Sequence, residues 1–212
     1  LNIDTEPSLD NIVLRDYQKN AINVWKDNHY VGIADACTGA GKTFLGLAGL
    51  VKLFEEKKRV FAWICCPYTH LVDQWKEEVK LFNINPIVCY GSFDKYRDKL
   101  KRAVMKFYNQ RTNFVCVIIT NASFKTDNIQ KLFDKNINQT LLMVDEAHNF
   151  GAYHLSNCMK PNVPYRLALS ATLDRYGDPN GTNKLYNYFG KKCIEYTLSQ
   201  AIAERKLTPY KY

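Results

Sequence analysis

Six short runs of almost unbroken apolar character punctuate the chain, at 31–36, 59–66, 86–90, 114–120, 140–144 and 165–170. They are rich in β-branched and aromatic residues and lack polar alternation, the pattern of strands covered on both faces. Between them, apolar residues recur every three to four positions over 15–25, 43–56, 70–81, 95–108 and 123–133. That spacing predicts helices with one buried stripe. Strands alternating with helices predict an α/β fold, a mostly parallel central sheet with helices on both faces. Residues 175–183, with Asp178, Pro179, Asn180 and Gly181, read as a loop. Residues 184–212 read as a helix, a short strand, a further helix and a tail. No repeat or low-complexity tract interrupts the pattern.

A length of 212 residues suits one large core or two small ones. Hydrophobic content of 46% and charged content of 24% are ordinary globular values. The net charge of +8 suits a polyanionic partner. No apolar run approaches the length of a membrane span, and no basic-then-apolar leader precedes Asn11. The expectation is a cytoplasmic protein without a membrane partner, although the chain opens on Leu1 rather than Met. Seven cysteines occur, with no CxxC pair and no Cys/His ligand spacing. Buried thiols in a reducing compartment explain them better than disulfides, zinc or a redox pair at Cys65–Cys66.

The most informative chemistry lies at 36–43, Ala-Cys-Thr-Gly-Ala-Gly-Lys-Thr. A strand leads in and a helix leads out. Gly39 and Gly41 let the backbone curl so that successive N–H groups point into one hollow. The following helix adds partial positive charge at the same place. Thr38, Gly39, Ala40 and Gly41 would line a phosphate cradle, Lys42 would reach the outer phosphates and the Thr43 hydroxyl would ligate Mg²⁺. Ala36 stands where the usual pattern has glycine, but the tight turn depends on the later glycines.

Asp145-Glu146-Ala147-His148 follows the apolar run 140–144 directly. A carboxylate at the C-terminal end of a parallel strand faces the crevice where ligands bind. Asp145 would hold Mg²⁺ opposite Thr43, and Glu146 would orient and deprotonate an attacking water. This reading places the acids behind the phosphate loop on a neighbouring strand. Ser170-Ala171-Thr172 follows the run 165–169, so its hydroxyls would lie at the same edge and bond His148.

Phosphate loop, DEAH and SAT in this order resemble the first motor lobe of a superfamily 2 helicase or translocase, a RecA-like P-loop NTPase lobe. Leu14-Arg15-Asp16-Tyr17-Gln18 is similar to that family's adenine-reading entry. Residues 66–75, Cys-Pro-Tyr-Thr-His-Leu-Val-Asp-Gln-Trp, resemble its motif Ia, and 118–123, Ile-Ile-Thr-Asn-Ala-Ser, resemble its later strand-end contact motif. The likeness spans about 14–172 and is greatest to the DNA-directed branch with type III restriction motor subunits and excision-repair helicases. Ser199-Gln200-Ala201-Ile202 and Lys206-Leu207-Thr208-Pro209-Tyr210 are similar to that branch's exit from the lobe. The resemblance implies an extension over 1–13, an ATP-binding domain over 14–197 and a connection over 198–212 towards a second lobe outside this chain.

Carried over, the resemblance assigns adenine recognition to Gln18, with Arg15 supporting the pocket. Coupling goes to His148, Ser170 and Thr172, and nucleic-acid backbone contacts go to Pro67, Thr69, Thr120 and Asn121. ATP and Mg²⁺ are the implied cofactors, DNA rather than RNA the implied polymer, and restriction or repair subunits possible partners. Trp75 shares helical spacing with Leu71 and Val79 and reads as core. Lys95, Arg97, Lys99, Lys101, Arg102, Lys106 and Arg111 read as a solvated helix face, with a phosphate track as the alternative. Arg166, Arg175 and Arg205 lie in no arginine-finger motif, and Arg175 is expected to support its own loop. Without a second lobe to supply a finger, the chain should bind nucleotide but hydrolyse it feebly. The alternatives are a double-stranded DNA translocase that does not unwind and a non-catalytic nucleic-acid-binding module with a vestigial nucleotide site. A GTP switch is disfavoured, since no Asn-Lys-x-Asp segment occurs.

Overall fold

The computed structural model describes residues 5–10, 12–36, 39 and 41–196. Seven strands, β1 (Val31–Ala36), β2 (Val60–Cys66), β3 (Ile87–Cys89), β4 (Phe114–Thr120), β5 (Thr140–Asp145), β6 (Tyr165–Ser170) and β7 (Lys192–Tyr196), form one sheet. Its order is β3–β4–β2–β5–β6–β1–β7, and every neighbouring pair is parallel. The predicted α/β fold is therefore the one observed.

Side chains alternate across the sheet and divide the core in two. Ala62, Ile64 and Cys66 of β2 face a layer built by α1 (Asp16–Asp27), α2 (Lys42–Lys57) and α3 (Thr69–Glu78). Phe61, Trp63 and Cys65 face the other layer, built by α4 (Arg97–Tyr108), α5 (Asn121–Phe124), α6 (Asp127–Asp134) and α8 (Pro179–Phe189). A one-turn helix, α7 (Tyr153–Ser156), lies between β5 and β6 in the chain. β2, β4 and β5 are buried at every position, which is why they read as unbroken apolar runs.

Gly46 sets how closely α2 lies on the sheet. A Cβ there would stand 2.8 Å from Met143 Sδ and 3.1 Å from Leu169 Cδ1. This close seat lowers the start of α2, and Lys42 with it, towards the ends of β5 and β6.

Three expectations need correction. The predicted helix over 123–133 is two helices, because the Thr120 hydroxyl accepts from Ser123 N to start α5 and Thr126 turns the chain into α6. Residues 175–183 are not all loop. The Asp178 carboxylate accepts from Gly181 N, Pro179 occupies the first turn, and α8 begins there. Finally, β5 is not adjacent to β1. β6 separates them, paired to both. Residues 197–212, including the proposed exit segments, lie outside the described residues.

Among the described residues, no helix is long and apolar enough to cross a membrane. The six described cysteines are buried and free, and no cluster of three or more metal-ligating side chains occurs among those residues. Burial pushes the Cys65 and Cys66 thiols well up and Cys116 up to about 12, which keeps them protonated and unreactive.

Candidate nucleotide site and strand groove

A parallel sheet gathers the C-terminal ends of its strands on one edge, and the predicted motifs meet there. The phosphate loop leaves β1, Pro67–His70 leaves β2, Thr120 ends β4, Asp145 ends β5 and Ser170 ends β6. Gly39 and Gly41 hold left-handed φ angles of 81° and 88°, which side chains tolerate poorly. Gly41 caps α2, so the helix opens with its unpaired N–H groups where the loop ends. Thr43 is the second residue of α2 and stays partly exposed. Cys37, Thr38 and Ala40 lie outside the described residues.

The Lys42 side chain is only 10% exposed, and its Nζ stands 3.7 Å from Glu146 Oε1. That is too far for a hydrogen bond, and the buried ammonium has no hydrogen-bond partner among the described residues. Buried cations rarely leave their donors unused. Asp145 is buried as well. Its Oδ1 accepts from Glu146 N at 2.9 Å and its Oδ2 from the Trp75 indole Nε1 at 2.8 Å. Burial pushes this carboxyl above the ordinary range and the neighbouring Glu146 charge adds to the rise, while the Trp75 N–H and Lys42 oppose it. Two carboxylates beside one ammonium leave excess negative charge, and they and the Thr43 hydroxyl at the start of α2 offer only oxygen donors. Such a set fits a hard divalent cation, and the unused Lys42 donors fit phosphate oxygens.

Glu146 adopts a left-handed backbone, φ 47° and ψ 53°, a conformation costing a non-glycine residue about 1–3 kcal/mol. The bend turns its carboxylate back between Lys42 and His148, whose Nδ1 lies 3.5 Å from Oε2. His148 Nδ1 also lies 3.4 Å from Ser170 Oγ, the contact expected from the sequence. Thr172 joins this chain of contacts through its backbone, since the Ser170 hydroxyl donates to the Thr172 carbonyl and accepts from the Thr172 N–H at 3.3 Å. Its hydroxyl accepts from Asp174 N at 3.2 Å and closes its own turn. Arg175 supports the loop by bonding Asp178 at 2.8 Å and the His148 carbonyl.

Gln18 is buried, not a solvated amide. Its Oε1 accepts from Arg15 N at 3.0 Å and its Nε2 approaches the Gly41 carbonyl at 3.4 Å, which ties α1 to the phosphate loop. Arg15 itself is exposed at the start of α1. Beyond β2 and β4 lies a hollow of about 670 Å³, lined by Pro67, Thr69 and Thr120 and by the rings of Tyr68, Tyr90 and Tyr96. Thr69 is exposed in it, as a backbone contact requires. Asn121 is not among its lining residues. Its side chain is buried, and neither polar atom has a hydrogen-bond partner among the described residues. The sequence reading missed the polar role of Trp75, because indole spacing alone gives burial and not the bond its N–H makes.

The model of the family described as "Type III restriction enzyme, res subunit" matches residues 11–175. The chain belongs to that family. It is also 28% identical over 204 residues to the DNA 3'-5' translocase XPB2 of Sulfurisphaera tokodaii, covering 95% of this chain and 40% of that protein. Family membership agrees with the resemblance carried by the phosphate loop, DEAH and SAT segments. Among solved structures, a nuclease-deletion mutant of the type ISP restriction-modification enzyme LlaGI, in complex with a DNA substrate mimic, shares the fold. It has a TM-score of 0.67 at 17% identity, over 92% of this chain and 21% of that one. The Pyrococcus furiosus Hef helicase domain does so with a TM-score of 0.64 at 20% identity, over 90% and 39%. This member of the family thus has the RecA-like fold and spans well under half of the relatives it matches.

Proposed function

We propose that residues 14–197 are the ATP-binding motor lobe of a DNA helicase or translocase, and that 198–212 lead towards a second lobe outside this chain. The observation that carries this reading is the meeting of Lys42, Asp145 and Glu146 at one strand edge, around an ammonium with no hydrogen-bond partner among the described residues. The family, the translocase relative and the helicase-domain fold support it.

In this reading Lys42 and the N–H groups opening α2 bind the outer phosphates of ATP. Thr43 and Asp145 hold Mg²⁺, and Trp75 keeps the Asp145 carboxylate aimed and ionised. When bound, the metal draws charge from the phosphate oxygens and eases attack at phosphorus. Glu146 takes the proton of the attacking water, and its strained bend keeps it facing the site. His148 and Ser170 join Glu146 to β6. Gln18 reads the adenine edge. Thr69, Thr120 and the first N–H groups of α3 hold strand phosphates, positioning without reading sequence. The partner lobe supplies the arginine this chain lacks in motif form, so turnover by the chain alone is slow.

Titration of a fluorescent ATP analogue with Mg²⁺ tests the site. Lys42→Ala weakens binding about tenfold or more, the expected loss of a charge-assisted contact. Glu146→Gln keeps binding and, within the whole motor, holds ATP uncleaved. Equal affinity of the wild-type and Lys42→Ala chains would contradict the assignment.

A further inference from the structure

Beside the strand groove lies a second hollow of about 540 Å³, and Tyr96 lines both. Lys76 and Lys80 stand on one side of it, one helical turn apart where α3 runs on into a 3₁₀ turn. Lys95 and Lys99 stand on the other, Lys95 at the end of a 3₁₀ turn that precedes α4 and Lys99 in the first turn of α4. Ile84, Pro86 and Val88 line it beside edge strand β3. No acidic residue lines it. Lys80 pairs with Glu77 at 2.5 Å, outside the lining, whereas Lys76, Lys95 and Lys99 make no ion pair with any described residue. A lysine on a solvated helix face gains by facing outward or pairing along its own helix. Here two elements instead turn like charges towards one concavity, where low-dielectric walls concentrate the field.

We infer that this hollow binds the phosphodiester backbone of the nucleic acid, so that a polymer seated against Thr69 and Thr120 continues past Tyr96 between the paired lysines. The inference rests on the reading of the groove as a nucleic-acid site and extends it to residues no motif assigns. Four ammonium groups beside Ile84, Pro86 and Val88 suit a backbone, which is held by charge, and Thr5, Asn83 and Asn85 complete the lining with uncharged polar groups. The sequence read Lys95 and Lys99 as part of a solvated face. The facing pair on α3, brought near only by folding, is what changes that reading.

The test measures fluorescence anisotropy of labelled DNA, a single strand and a duplex of about 30 nucleotides or base pairs, from about 50 to 200 mM salt. Three forms of the whole 212-residue chain are compared. One is wild type, one carries Lys76→Gln, Lys80→Gln, Lys95→Gln and Lys99→Gln, and one is a charge-matched control with Lys52→Gln, Lys58→Gln, Lys131→Gln and Lys135→Gln. All eight sites but the half-buried Lys99 are exposed. The hollow variant should bind roughly tenfold or more weakly, with a log–log salt slope shallower by about 2–3, and the control should stay near wild type. The probe whose slope changes identifies single strand or duplex as the source of the backbone. Lys→Arg at the four hollow sites should restore both affinity and slope. Equal losses in the hollow variant and the control, or an unchanged slope in the hollow variant, overturn the proposal while leaving the groove reading standing. If the wild-type chain binds neither probe, the groove reading fails and the proposal with it.

Discussion

Trp75→Phe separates two roles that one residue performs. Trp75 is 1% exposed in the middle of α3, and its indole donates to Asp145 Oδ2 at 2.8 Å. The same helix begins at Thr69, in the strand groove. Phenylalanine keeps an aromatic ring in the core and removes the N–H. Asp145 then retains one donor, Glu146 N, in a setting where burial already raises its pKa. A hydrogen bond to a buried charge is worth about 1.5–3 kcal/mol, or roughly 10- to 150-fold in an equilibrium constant. Part of that loss is avoided by protonating the carboxyl, so the proton becomes a stronger competitor of the metal. The variant should need about tenfold more Mg²⁺ for half-maximal nucleotide binding near neutral pH, and the deficit should shrink as pH rises. The assay is nucleotide-analogue binding against Mg²⁺ concentration at about pH 6, 7 and 8, beside a thermal melt. A lowered Tm with an unchanged Mg²⁺ requirement at every pH would refute the reasoning and leave Trp75 as core filling only.

Asp145→Asn should show the cost of the buried charge. The carboxyl is raised on folding, so from about pH 4 upward the folded chain holds a proton that the unfolded chain has lost, and stability falls as pH rises through that window. Asparagine cannot ionise, although its Nδ2 leaves one of the Glu146 and Trp75 N–H donors unpaired, so the variant's Tm relative to wild type should rise as pH rises across the window, and a pH-independent difference contradicts the account. At Gly32 an added Cβ would meet Cys193 Sγ at 2.1 Å and Trp25 Cδ1 at 3.1 Å. Gly32→Ala should cost about 1–3 kcal/mol in urea unfolding, and adding Cys193→Ala should recover part of it, whereas strictly additive losses would deny the clash.

The strands were legible because a parallel sheet covered on both faces imposes a one-dimensional pattern. β1, β4 and β6 begin and end where their apolar runs do. Phosphate loop and acids were legible because tight turns and strand ends demand particular residues. Other features depend on three-dimensional proximity and leave no local trace. Phe124, Ile129 and Phe133 keep facing the core through the turn at Lys125 and Thr126, so the apolar stripe hides the break between α5 and α6. Asp178-Pro179-Asn180-Gly181 has loop composition because a helix start uses the same residues as a turn. The burial of Gln18 against Gly41, the indole bond to Asp145 and the position of β6 between β1 and β5 arise from long-range packing alone.

The central claim, one site for nucleotide and metal between α2 and the end of β5, is tested most directly by a crystal structure grown with a non-hydrolysable ATP analogue and Mn²⁺. The account predicts an anomalous manganese peak between Thr43 and Asp145, with the terminal phosphate against Lys42 and facing Glu146. Manganese or phosphate bound elsewhere, with the Lys42 ammonium untouched, would contradict it.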